Sequence, residues 1–208
     1  MEDVLSVYER PVDRLAPLIC LDEFCKQLLS ETRSRIAPAK GQLEKYDYEY
    51  IRNGSVSGFM MAAPFLGKRH TYFGPDGRRT SKDFAHCLDY LAHEIFPDAR
   101  RIILVMDNLN THKAAALYES FAPAKALALW QRFEVHYTPK HGSWLNMAEI
   151  EIGLMTRRCL NRRIASFEEI KTEVGAYEAT KNKESKVIAW QFTNDKARTK
   201  LKSLYPSI

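Results

Sequence analysis

No apolar run in this chain reaches the length that crosses a bilayer. The first ten residues, Met-Glu-Asp-Val-Leu-Ser-Val-Tyr-Glu-Arg, open on acids and lack the apolar core of a secretory signal. Cysteine is scarce: Cys20, Cys25, Cys87 and Cys159 form no Cys-x-x-Cys pair and no zinc-finger spacing. A reduced, cytoplasmic protein without membrane attachment is the expectation. Internal repeats and low-complexity tracts are missing. So are the Gly-rich phosphate loops, Walker and Gly-x-Gly-x-x-Gly alike, and the Gly-x-Ser-x-Gly elbow of hydrolases. His112, His136 and His141 lack the His-x-x-x-His spacing of a helical zinc site. These absences set aside nucleotide-loop, serine-hydrolase and zinc chemistries.

What is present is a chain of 208 residues with 45% hydrophobic content, enough for one domain with an ordinary core. The formal charge of +5 is modest, but arginines gather in adjacent pairs at Arg78-Arg79, Arg100-Arg101, Arg157-Arg158 and Arg162-Arg163. Such pairs form either a solvated surface or a track for a phosphate backbone.

Hydrophobic periodicity divides the chain into a meander followed by alternating elements. Pro17 to Phe24 is a continuous apolar run closing on Asp22 and Glu23, the pattern of a strand buried on both faces. The polar, basic stretch from Thr32 to Glu44 reads as a loop. Tyr46–Arg52 and Val56–Ala63 read as two strands joined by a hairpin at Asn53-Gly54, and Arg69–Phe73 as a third strand ending at Gly74-Pro75-Asp76-Gly77. A helix follows, with Ser81 as its cap and Phe84, Cys87, Leu88, Leu91 and Ile95 on one face. Arg101–Asp107 is a second buried strand ending in an acid. Lys113–Gln131 is helical with a break at Pro123, and Phe133–Tyr137 is the last strand. Trp144 to Arg158 returns to helix. Ser166–Lys181 is a helix with a capping box, and the tail is helical and basic. The predicted class is α/β, an RNase H-like mixed sheet flanked by helices. An arm over 1–16, a catalytic domain over 17–182 and a packed helical tail over 183–208 complete it.

Acids close the buried elements. Asp22 ends the first strand, Asp107 ends the strand after the first helix, and Glu149 and Glu151 lie in the first turns of the helix after the last strand. Acids also collect at strand ends simply because solvent begins there. Their chemical use would be phosphodiester cleavage. Two Mg²⁺ ions about 4 Å apart stabilise the attacking and leaving oxygens of an in-line displacement, and Mg²⁺ takes carboxylate oxygens. On the helical wheel Glu149 and Glu151 flank the apolar stripe equally, so periodicity does not choose between them.

Three ordered blocks carry a resemblance. Ile19-Cys-Leu-Asp22-Glu23, then Val105-Met-Asp107-Asn108-Leu-Asn-Thr-His112, then Tyr137-Thr-Pro139-Lys-His-Gly-Ser143-Trp144-Leu145-Asn146-Met-Ala-Glu149 closely resemble the signature blocks of DDE transposases. The likeness is to the bacterial insertion-sequence branch of the mariner superfamily, the six-thirty family. Gly153-Leu-Met-Thr-Arg157-Arg158 and Trp190-Gln-Phe-Thr193 extend it from about Pro17 to Lys200. The resemblance implies an RNase H-like fold, Mg²⁺ with Mn²⁺ as substitute, hydrolytic nicking of DNA and strand transfer by a homodimeric active complex. It makes Asp22, Asp107 and Glu149 the metal-binding catalytic acids and passes over Glu151. Glu23, Asn108, His112 and Asn146 fall in the matched blocks and are expected beside the acids or on DNA. Trp144 is expected to cap the core, with base stacking as the alternative. Arg33, Arg35, Lys40, Arg157, Arg158, Arg162 and Arg163 are expected to carry DNA.

Relatives have N-terminal helix-turn-helix domains, whereas only about sixteen residues precede the first strand here. End recognition is expected to come from a separately encoded helix-turn-helix protein or a frameshifted product, unless the copy is trimmed or degenerate. Two rival readings use the same residues: an RNase H-like nuclease without strand transfer, and a non-catalytic nucleic-acid-binding derivative of a transposase.

Overall fold

The computed structural model describes residues 1–34, 36–45 and 47–205. Its centre is one mixed sheet of five strands: β1 (Leu18–Glu31), β2 (Tyr50–Ala63), β3 (Lys68–Tyr72), β4 (Ile102–Met106) and β5 (Phe133–Tyr137), in the order β3-β2-β1-β4-β5. β1, β2 and β3 form an antiparallel meander. β4 lies parallel to β1 and β5 parallel to β4. Meander first, alternating helices and strands second, is the arrangement the periodicity predicts.

The continuous apolar runs are explained by burial on both faces. Ile19, Leu21, Phe59, Met61, Ile102, Leu104 and Met106 pack beneath α2 (Ser81–Tyr90), α3 (Ala115–Ser120) and α4 (Pro123–Gln131). Leu18, Cys20, Met60, Ala62, Ile103 and Val105 face the opposite layer, made of α1 (Glu2–Tyr8), α5 (Ala148–Met155), α6 (Phe167–Glu184) and α7 (Asn194–Lys200). All five residues of β4 are buried, since it is flanked by strands and covered by helices on both sides. The first sixteen residues are more than an arm: Val4, Leu5 and Val7 of α1 are fully buried in the second layer, and Tyr8 donates to the Leu145 carbonyl at 2.6 Å. Within 183–208, Thr193 caps α7 and Ala197 is buried; residues 206–208 lie outside the described residues.

Several boundaries differ from the sequence reading, each for a physical reason. β1 does not stop at Asp22 and Glu23 but continues to Glu31, because beyond Cys20 it leaves β4 and remains paired with β2 alone. The expected strand pair Tyr46–Arg52 and Val56–Ala63 is one strand, and Tyr46 lies outside the described residues. Asn53-Gly54 makes no hairpin. The β1–β2 register passes from Gln27↔Ser55 to Leu29↔Arg52, so β2 carries one extra residue there, and Gly54 takes φ 95°. The left-handed conformation expected of a turn thus serves a bulge. The segment before α6 packs against this irregularity: the Leu29 backbone N–H donates to Ile164 O at 2.7 Å, and the Asn53 side-chain Nδ2 donates to Ala165 O at 2.9 Å. The cap of α2 is Thr80, one residue before Ser81, in a reciprocal capping box with Asp83. The Trp144 helix begins at Ala148, after a single 3₁₀ turn over Ser143–Leu145.

Candidate active site

Pairing between β1 and β4 ends at Cys20↔Val105, and each strand reaches its acid two residues later, at Asp22 and Asp107. Side chains alternate along a strand, so Asp22 continues the Leu18 and Cys20 face, which α5 covers, and Glu23 continues the Ile19 and Leu21 face, which α2 covers. Asn146 joins these pieces. It is buried, its Nδ2 donates to Leu21 O at 2.8 Å and approaches Asp22 Oδ2 at 3.4 Å, and its Oδ1 accepts from Ala148 N–H at 3.1 Å. One amide therefore caps the first turn of α5 and fixes that turn against the strand carrying Asp22. Glu149 follows in this first turn, where the helix dipole favours a carboxylate.

The three acids feel one another. The Asp22 carboxyl is pushed up to about 6, first by burial; the Glu23 N–H donating to Oδ1 at 2.8 Å opposes this, and the charges of Asp107, Glu149 and Glu23 add to it. Glu149 is exposed, and its side chain makes no hydrogen bond or ion pair among the described residues. Asp107 is bound on one side only, with Oδ1 2.6 Å from His112 Nδ1. Burial works against charge on His112, but Asp107 and Glu23 outweigh it and push its pKa up to about 9.

Glu151 points elsewhere. It is buried, with Oε2 3.0 Å from Arg69 Nε and Oε1 3.3 Å from Arg69 Nη2, an ion pair between α5 and β3. The two acids that the helical wheel treated alike thus have different surroundings, Glu151 paired with Arg69 and Glu149 exposed.

Among the described residues, no group of three or more His, Cys, Asp or Glu side chains is drawn together closely enough to hold a metal ion as it stands. The donor set nonetheless fits a hard divalent cation: carboxylate oxygens on three converging elements, uncommitted at Glu149 and in mutual repulsion at Asp22. Beside Asp107 a cleft of about 520 Å³ opens, with Asn108, Lys140 and His141 on its walls. Asn108 is exposed toward solvent, whereas His112 and Asn146 are buried, in contact with Asp107 and Asp22 respectively.

The expected DNA-binding residues separate into two groups. Arg157, Arg158 and Arg162 line one cavity of about 400 Å³ against α6, where Arg162 pairs with Glu173. Arg33 and Lys40 are exposed in the loop before β2, Arg33 3.5 Å from Asp47. Arg163 is instead committed to structure: it pairs with Glu31, donates to the Glu49 and Tyr48 carbonyls at 2.9 and 3.2 Å and lies over Tyr50. Arg35 lies outside the described residues. Trp144 is 48% exposed with an edge contact to Phe192, so it caps the core only in part. Sequence reasoning missed Arg79, which pairs with Glu23, and Arg69. No local signal marks either, because each partner is more than fifty residues away.

The family model described as DDE superfamily endonuclease matches residues 17–171. The fold is similar to that of the Mos1 Strand Transfer Complex, with TM-score 0.58, 19% identity, and coverage of 88% of this chain and 53% of that one. It is similar also to the Mos1 mariner paired end complex with Mn, with TM-score 0.57, 18% identity, and coverage of 86% and 52%. The mariner Mos1 paired end complex with Mg gives TM-score 0.56, 18% identity, and coverage of 88% and 54%. At this identity the likeness is one of fold, and the chain spans about half the length of the matched proteins. No curated protein matches it.

Proposed function

Since the chain belongs to the DDE superfamily endonucleases, we propose that it is the catalytic domain of a DNA transposase, which nicks DNA hydrolytically at transposon ends and joins the freed strand to a target. The observation that carries this reading is the placement of Asp22 and Asp107 just beyond the paired ends of β1 and β4, with Glu149 in the first turn of α5, which Asn146 holds against Asp22. Those three carboxylates are the proposed catalytic acids. The family generally uses a divalent metal, and two matched Mos1 structures are complexes with Mn and with Mg. Here Asp22, Asp107 and Glu149 would hold Mg²⁺, with Mn²⁺ as a substitute. Bound there, the ions would stabilise charge on the attacking and leaving oxygens of the phosphoryl displacement.

The chain's own part is positioning. Asn146 sets Glu149 against the strand of Asp22, His112 takes one oxygen of Asp107, and the cleft bearing Asn108 and Lys140 offers room for a DNA strand beside the acids. Arg157, Arg158 and Arg162, with Arg33 and Lys40, would follow the phosphate backbone. The matched Mos1 proteins are paired-end and strand-transfer complexes, one with the left transposon end. By analogy the partner here is DNA, and the active complex is read as a homodimer.

The test is nicking of supercoiled DNA in Mg²⁺ and Mn²⁺, together with joining of a pre-cleaved 3′ end into target DNA. Loss of both reactions is expected in Asp107→Ala and Glu149→Ala, each still folded, with melting unchanged in Glu149→Ala. Nicking without joining would replace the transposase with a plain RNase H-like nuclease. Nicking that survives either substitution, or proceeds equally in EDTA, would leave only the non-catalytic reading.

A further inference from the structure

We propose that His112 and Glu23 form a positioning pair that fixes the orientation of the Asp107 carboxylate, an inference that rests on reading Asp107 as a catalytic acid. His112 is fully buried, with Nδ1 2.6 Å from Asp107 Oδ1 and Nε2 3.5 Å from Glu23 Oε1. A carboxylate can only accept, so Nδ1 carries the proton of the short contact and the ring turns its other nitrogen to Glu23. The ring is held independently. It lies over Phe84 with centroids 4.7 Å apart, and the main chain that carries it is anchored: the His112 carbonyl accepts from Tyr137 Oη at 2.9 Å and the His112 backbone N–H donates to Leu109 O at 3.0 Å. Glu23 is equally fixed: its side chain is 5% exposed, and its second oxygen pairs with Arg79. A line of polar contacts thus runs from surface Arg79 through Glu23 and His112 to Asp107, whose Oδ2 accepts no hydrogen bond among the described residues.

A purely structural residue at position 112 has no need of an imidazole. An aromatic ring would stack on Phe84 as well, without leaving a buried nitrogen that lacks a hydrogen bond, as Nε2 does here. The nitrogens earn their place at Asp107. They commit Oδ1 and hold the side chain in one rotamer, which leaves Oδ2 for the cluster. Ligand-orienting partners of this kind typically change metal affinity by about 10–100-fold.

The experiment compares wild type, His112→Phe, Glu23→Gln and Asp107→Ala as full chains. Mn²⁺ binding without DNA is measured by electron paramagnetic resonance, metal-free melting by circular dichroism, and nicking as a function of Mg²⁺ concentration. Expected for His112→Phe and Glu23→Gln is Mn²⁺ binding weaker by about 10–100-fold and a matching rise in the Mg²⁺ needed for half-maximal nicking, in protein that circular dichroism shows to be folded. If His112→Phe does not fold, Glu23→Gln decides. Unchanged Mn²⁺ affinity and Mg²⁺ dependence in Glu23→Gln, beside their loss in Asp107→Ala, would overturn the positioning role and leave the catalytic acids standing. Intact binding and nicking in Asp107→Ala would instead remove the reading on which the pair depends. The metal-free protein gives a further signature: a downfield His112 Nδ1 proton in nitrogen-edited NMR, present in wild type and lost in Asp107→Ala. Its absence from wild type overturns the proposal.

Discussion

Asp22→Asn should stabilise the metal-free protein at neutral pH while abolishing its activity. The Asp22 carboxyl stands near 6 instead of 3.8, mainly through burial and then through the charges of its neighbours. Ionising such a group at pH 7 costs the fold about 3 kcal/mol, and the side chain's remaining solvent contact lowers that figure. Asparagine keeps an oxygen for the Glu23 N–H but loses the weak 3.4 Å acceptor contact to Asn146, a loss of up to about 1 kcal/mol. About 1–2 kcal/mol of stabilisation remains, or roughly 3–6 °C in melting temperature for a chain of this size. The sign follows from linkage. A carboxyl with a raised folded pKa binds its proton more tightly in the fold, so its contribution is fully present below 3.8 and is lost as pH rises through about 6. The gap between variant and wild type should therefore be small at pH 4 and open by pH 7.5. Melting followed by circular dichroism in EDTA across that range checks it. Mn²⁺ should close the gap by raising the wild type alone. A variant that melts at or below wild type at pH 7.5, or a gap independent of pH, would refute the account of three acids held against one another.

Glu151→Ala should cost about 3–5 kcal/mol of stability, because it leaves the buried Arg69 guanidinium without its partner, whereas Glu149→Ala should leave melting unchanged and lower nicking by about a thousandfold. Urea melts and nicking assays on the same preparations separate the two. Leu5→Ala should destabilise by about 2–4 kcal/mol if α1 belongs to the core as its burial indicates, and an arm merely lying on the surface would show almost no change. Arg157→Ala with Arg158→Ala should lower the salt slope of log K for duplex DNA by about two, equally for unrelated sequences. Titrations at several salt concentrations test this, and tight preference for one inverted repeat would contradict it.

The sequence alone determined the central strands, because strands buried on both faces must be apolar throughout. Ile102–Met106 and Leu18–Leu21 are legible for that reason, as is the acid that follows each. Turn chemistry was legible as backbone conformation but not as outcome: Gly54 takes the positive φ its type suggests, yet it makes a bulge because β1 runs on alongside β2 past it, a long-range pairing that local sequence does not announce. The outer half of β1 was hidden because it pairs on one side only, so its exposed and half-buried residues no longer read as a core strand. At the site, the motif blocks pointed to Asp22, Asp107 and Glu149, but periodicity had nothing with which to separate Glu149 from Glu151. Only packing could do so, by bringing Arg69 of β3 against one of them and leaving the other in solvent. The burial of His112 between Asp107 and Glu23 is of the same kind. A hydrogen-bond partner eighty or more residues away leaves no trace in local pattern, since the contact exists only once the sheet has set its strands side by side.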